Sequence, residues 1–117
     1  IDQVRLDENG WPVGEPTTFV DMKADGLNPD GSVVDAEGNL WNAQWGAAQV
    51  ACYGPDGVLK DQVGLPATQI SCPCFGGDDL RTLYVTSAAV GVEGEKDGMT
   101  FAFRAPVAGQ AEHQVIL

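Results

Sequence analysis

A strand–turn–strand unit recurs three times along these 117 residues, and a second such unit is interleaved with it. The first copy runs Val4-Arg5-Leu6, Asn9-Gly10, Trp11-Pro12-Val13, and the second Val50-Ala51-Cys52-Tyr53, Pro55-Asp56-Gly57, Val58-Leu59. A third reads Thr100-Phe101-Ala102-Phe103, a turn through Gly109, then Gln114-Val115-Ile116-Leu117. The turn glycines Gly10, Gly57 and Gly109 lie 47 and 52 residues apart. The interleaved unit is Ser32-Val33-Val34-Asp35, a turn at Glu37-Gly38-Asn39, and Leu40-Trp41-Asn42-Ala43. Its counterpart is Cys72-Pro73-Cys74-Phe75, Gly76-Gly77-Asp78-Asp79, and Leu83-Tyr84-Val85-Thr86. Two hairpins per period of this length make a four-stranded unit, the size of one propeller blade.

The repeat therefore predicts an all-β chain covering about two and a half blades. Strands three and four of one blade fall in about 1–27, a whole blade in 28–66 and the last blade in 67–117. A ring needs at least four blades to close, so the chain reads as a segment of a single propeller domain. It begins at Ile1 inside an apparent strand, and the remaining N-terminal part of the ring is its expected partner. Trp41 and Tyr84, on second strands, are expected to pack between blades. The 15 glycines and seven prolines, spread along the chain, suit many short strands and tight turns. An all-β sandwich or adhesion module, with the repeats misassigned, is the competing fold.

Charge narrows the partners. Seventeen acidic against six basic residues leave a net charge of −11, which repels phosphate backbones and anionic lipid; nucleic acid and membrane surfaces are not expected partners. No apolar run approaches the roughly 20 residues that span a bilayer. Cys52, Cys72 and Cys74 match no zinc-knuckle spacing. They read as buried, reduced residues, and a cytoplasmic setting follows.

Asn28-Pro29-Asp30-Gly31 carries the most chemical information. Pro29 holds Asn28 extended, Gly31 allows a sharp turn into the strand, and Asp30 is placed at the mouth of an innermost strand, where blades converge. Pro55-Asp56-Gly57 is the same triplet in an outer hairpin, and Asp56 is given no chemical role. Thr68, Gln69 and Ser71 precede the next inner strand and either line the pocket mouth or satisfy turn backbone. His113, the one histidine, falls in the last outer hairpin and reads as solvent-exposed. Pro73 inside a strand predicts a local bulge.

Asn28-Pro29-Asp30-Gly31, the run Val34 to Ala43 through Leu40-Trp41, Ser71-Cys72-Pro73-Cys74-Phe75-Gly76-Gly77 and Leu83-Tyr84-Val85-Thr86-Ser87 together resemble the C-terminal part of the SMP-30/gluconolactonase family, the regucalcin-like proteins. The resemblance implies a six-bladed β-propeller with one divalent metal ion on its axis (calcium, zinc, magnesium or manganese) and hydrolysis of sugar lactones. It implies that Asp30 is a metal ligand and the proton donor and acceptor. The family's other ligands, a Glu near the chain start and an Asn in an earlier blade, have no matching positions here, nor do its sugar-gripping Arg and Asn. A noncatalytic calcium- or sugar-binding propeller is the alternative, because one fold hosts many functions.

Overall fold

Short runs of β-branched and aromatic residues, separated by turns rich in Gly, Asp and Asn, give strands and no helix among the described residues. The structure is a computed structural model and describes residues 1–112. His113 and the expected closing strand 114–117 lie outside them. The strands are β1 (Asp2–Leu6), β2 (Pro12–Thr18), β3 (Asn28–Val34), β4 (Leu40–Trp45), β5 (Gln49–Tyr53), β6 (Leu59–Gly64), β7 (Gln69–Gly76), β8 (Thr82–Ala88) and β9 (Thr100–Arg104).

Every pairing is antiparallel and most join neighbours in sequence. β1 and β2 form a two-stranded ribbon. β3, β4, β5 and β6 form a four-stranded meander, and β7, β8 and β9 a three-stranded one. The two meanders touch in the ladder sense at one point, Trp45 opposite Gln69. Elsewhere they meet face to face, as propeller blades do.

The main core fills that interface. Trp41, Ala43, Val50 and Cys52 from β4 and β5 pack against Ile70, Phe75, Leu83 and Val85 from β7 and β8, with Phe101 and Phe103 of β9 at the margin. Trp41 is 1% exposed and meets Phe75 edge-on at 6.2 Å between ring centres. On the opposite face of β5, Ala51 and Tyr53 join Met22, Phe19, Val20 and Leu27 from the β2–β3 connection. The middle meander is thus covered on both sides, which is why β4 and β5 are buried almost without alternation.

β8 behaves differently. Leu83 and Val85 point into the core, whereas Tyr84 and Thr86 are exposed. Trp41 meets the expectation of packing between blades, but Tyr84 does not: its side chain lies on the outer face of β7–β9, against which no described residue packs another sheet, and it is 43% exposed. Gly109 also differs from expectation. Instead of tipping an outer hairpin, it bridges to Asp35, donates its N–H to Leu80 O at 2.7 Å and abuts Phe75. The chain after β9 therefore runs back along the turns of the two meanders.

Candidate functional site

β3 and β7 are the innermost strands of their meanders, and both carry a bulge near the start. In β3, Pro29 faces Gln44 and Ser32 faces Asn42, so three steps on β3 match two on β4. The extra residue falls at Asp30-Gly31. A bulge bends its strand and re-aims a side chain; Asp30, expected at the strand mouth, lies inside the strand and is exposed. In β7, Ile70 faces Ser87 and Cys72 faces Thr86, which puts the extra residue at Ser71. Asp30 and Ser71 thus hold corresponding positions in successive repeats.

Two contacts fix the β3 bulge. The amide of Asn42 on β4 donates through Nδ2 to Asp30 O at 3.1 Å, to Gly31 O at 3.4 Å and to Ser32 Oγ at 2.9 Å. Gly31 is pressed onto the next inner strand, where an added Cβ would lie 2.7 Å from Ser71 O and 2.9 Å from Cys72 Cα. Gly31 is not in the left-handed region. Its lack of a side chain serves the close approach of β3 to β7, not the sharp turn expected from the sequence.

The other candidates separate cleanly. Ser71 Oγ is 2.8 Å from Thr86 Oγ1 across the β7–β8 pair. Gln69 exchanges two hydrogen bonds with the backbone of Val90, and Thr68 N–H donates to Asp97 Oδ1. Gln69 thus satisfies loop backbone, the second of its two expected roles. Asp56 accepts from Val58 N–H and is a turn residue, as expected. Cys52 is buried, and burial pushes its thiol up to about 11. Cys72 and Cys74 contradict the expectation of burial: they sit on the outer face of β7 and are exposed. Pro73 pairs in register with Val85, and the bulge lies earlier, at Ser71. At Pro73 the other edge of β7 has no ladder partner among the described residues, so the missing N–H costs no sheet bond.

A second carboxylate, Asp35, is fully buried where β3 turns into β4. It accepts from the backbone N–H groups of Glu37 and Asn39, from the Asn39 amide and from Trp41 Nε1. Burial pushes its pKa up, but the hydrogen bonds from Asn39, Trp41 and Glu37 together outweigh it and hold the pKa below the usual value. The donors come from the turn and from Trp41 at the start of β4, so Asp35 braces the β3–β4 hairpin. Asn42 and Asp35 were not singled out from the sequence. Asp35 is bound by residues two to six positions on, an Asp-led turn pattern the sequence does carry, whereas nothing local marks Asn42, which gains its role only when the bulge brings two carbonyls to it.

Chemically, the inner-strand face offers one exposed, hard-oxygen carboxylate beside neutral polar groups. Among the described residues no three His, Cys, Asp or Glu side chains converge as a metal site. Asp30 has the chemistry of one ligand to a divalent cation.

Residues 1–89 match the SMP-30/Gluconolactonase/LRE-like region. L-arabinolactonase of Azospirillum brasilense is 53% identical over 83 residues, which cover 71% of this chain and 27% of that protein. The 6-deoxy-6-sulfogluconolactonase of Pseudomonas putida is 36% identical over 113 residues, 92% of this chain and 39% of that one. The crystal structure of regucalcin from Agrobacterium tumefaciens, described as a calcium-binding protein, superposes on 99% of this chain and 42% of its own length. The TM-score is 0.92 at 36% identity. The chain thus spans between 27% and 42% of the length of these relatives.

Radial meanders stacked face to face, with inner strands side by side, place the structure among the β-propellers, as a segment of the six-bladed ring expected from the sequence. The chain belongs to the SMP-30/gluconolactonase family.

Proposed function

We propose that this chain is the C-terminal part of a metal-dependent sugar lactonase, in which Asp30 is both a metal ligand and the proton donor and acceptor. The observation that carries the reading is an exposed carboxylate on a bulge of the innermost strand, locked by Gly31 against the next inner strand. Two relatives are lactonases by name, at 53% and 36% identity.

Lactone hydrolysis adds water across an acyl C–O bond. A divalent cation, when bound, supplies polarisation of the lactone carbonyl. The role of Asp30 is to accept a proton from the attacking water and deliver it to the ring oxygen as the acyl bond breaks, giving the open hydroxy acid. Calcium, magnesium, manganese and zinc all accept carboxylate oxygen. The substrate class is a sugar lactone, and the remaining ligands and the sugar-binding groups come from the rest of the ring. The free thiols of Cys52, Cys72 and Cys74 suit a reducing compartment, and the cytoplasm is the proposed setting. No helix among the described residues is long and apolar enough to cross a membrane.

One observation favours a second reading. The regucalcin structure is described by its cation, not by an activity, and a noncatalytic calcium- or sugar-binding propeller would use the same carboxylate.

A pH-indicator assay of the complete protein against a panel of aldonolactones, with and without chelator, decides between them. The expected result is chelator-sensitive turnover that falls roughly 10²–10⁴-fold in Asp30→Asn, with the fold retained. Undiminished turnover in Asp30→Asn refutes the assignment. Cation binding without turnover of any lactone establishes the second reading.

A further inference from the structure

Asn42 is fully buried, yet its Oδ1 has no hydrogen-bond partner among the described residues. Buried amides normally satisfy both ends, and an exception calls for an explanation. The orientation is forced. Nδ2 faces two carbonyl oxygens, Asp30 O and Gly31 O, and the hydroxyl Ser32 Oγ; the flipped amide would set its oxygen against both carbonyls. The side chain thus leaves an acceptor unmade in the interior in order to keep its donors on the bulge.

What those donors hold is the main chain of the residue that carries the exposed carboxylate. A bulge departs from the ladder, so its carbonyls lack the cross-strand N–H partners that regular pairing provides. Asn42 replaces them from below, while Gly31 is pinned from the side by the backbone of Ser71 and Cys72. The residues that supply the acceptors are open to solvent, Asp30 and Ser32 being exposed and Gly31 half-buried. Water can therefore replace the amide as their donor. Removing the amide is then cheap for the fold and costly for the orientation of Asp30.

We propose that Asn42 is a positioning residue, which sets the direction of the Asp30 carboxylate by clamping the bulge carbonyls. The inference rests on Asp30 being a metal ligand, as proposed above. It assigns Asn42 no contact with cation or substrate.

The test uses the complete protein, stripped with chelator and titrated calorimetrically with Ca²⁺ and Mn²⁺, alongside lactone turnover and thermal unfolding. Asn42→Val, which keeps a strand-compatible shape and removes the amide, is expected to weaken cation affinity by about 10-fold or more, in the range found for groups that orient metal ligands. It is expected to lower kcat with little change in KM and to leave the apo-protein's melting temperature within a few degrees of wild type. A variant that melts much earlier but keeps cation affinity and kcat shows a structural brace and overturns the proposal, as does one that changes nothing. If Asn42→Val does not accumulate as folded protein, Asn42→Thr, with one hydroxyl donor, takes its place. Affinity and kcat between those of wild type and Asp30→Asn support the clamp, and wild-type values overturn it. Asp30→Asn is titrated in parallel. Should it bind the cations as wild type does, the metal-ligand reading of Asp30 fails; should it lose them while Asn42→Val does not, the positioning inference alone fails.

Discussion

Asp35 and Asp30 lie five residues apart and have opposite environments. Asp30 is exposed, and Asp35 is sealed among N–H groups from Glu37, Asn39 and Trp41. Lys60 extends this network by donating to Asn39 Oδ1 at 2.7 Å. Asp35→Asn is nearly isosteric but turns an acceptor into a donor facing other donors, and it is expected to cost about 2–4 kcal/mol. Urea unfolding of the complete protein, read as a shift in midpoint at constant m, measures it. The pH dependence has a definite sign. The native carboxyl titrates below its unfolded value of about 3.9, so its ionisation stabilises the fold above that pH, and the benefit is lost as pH falls through the lower native value. The stability gap between wild type and Asp35→Asn should be flat above about pH 5 and shrink in more acid solution.

Among the elements, the inner strands are the ones whose irregularities recur. β3 and β7 each insert one residue near their start, and the strands approach so closely there that Gly31 has no room for a methyl group. Two of the three obstructing atoms, Ser71 O and Cys72 Cα, belong to the main chain and cannot rotate aside; the third is Cys72 Sγ. Gly31→Ala is therefore expected to destabilise the complete protein by about 1–3 kcal/mol and to reduce turnover by displacing Asp30. Gly64→Ala serves as the control. Nothing lies within 4 Å of a Cβ at Gly64, and its effect should stay within about 0.5 kcal/mol. Equal effects at the two glycines would show that β3 and β7 do not abut.

The molecule as a whole has the shape of a piece of wall. Its radius of gyration is 15.2 Å, against about 13 Å for a compact domain of this length. The middle meander is covered on both faces, but the outer face of β7–β9 presents Cys72, Cys74, Tyr84 and Ala102 in adjoining cross-strand positions. The β1–β2 ribbon leaves Leu6 and Trp11 at 61% and 70% exposure. Uncovered sheet faces and edges of this kind associate. The 117-residue segment expressed alone is expected to self-associate in sedimentation velocity and to unfold without a sharp cooperative transition. A monomer with a single steep urea transition would show that two and a half blades are self-sufficient.

The alternation of short strands and tight turns carried the propeller reading, because a propeller repeats one local pattern and each hairpin is written in contiguous residues. The irregular backbone around Asp30 was legible for the same reason: proline and glycine on either side mark it in the sequence itself. The assignments that went astray depended on what lies across an interface. Tyr84 and Trp41 look alike in sequence, yet only Trp41 faces another sheet. Cys72 and Cys74 differ from Cys52 in the same way. Gly31 reads as a turn former until β7 is set beside it, and Asn42 reads as an ordinary strand residue until a bulge offers it two carbonyls. Local pattern determines where strands begin and turn. Which face is covered, and which side chain holds the bulge, depends on distant segments brought together by packing, and that only the folded wall decides.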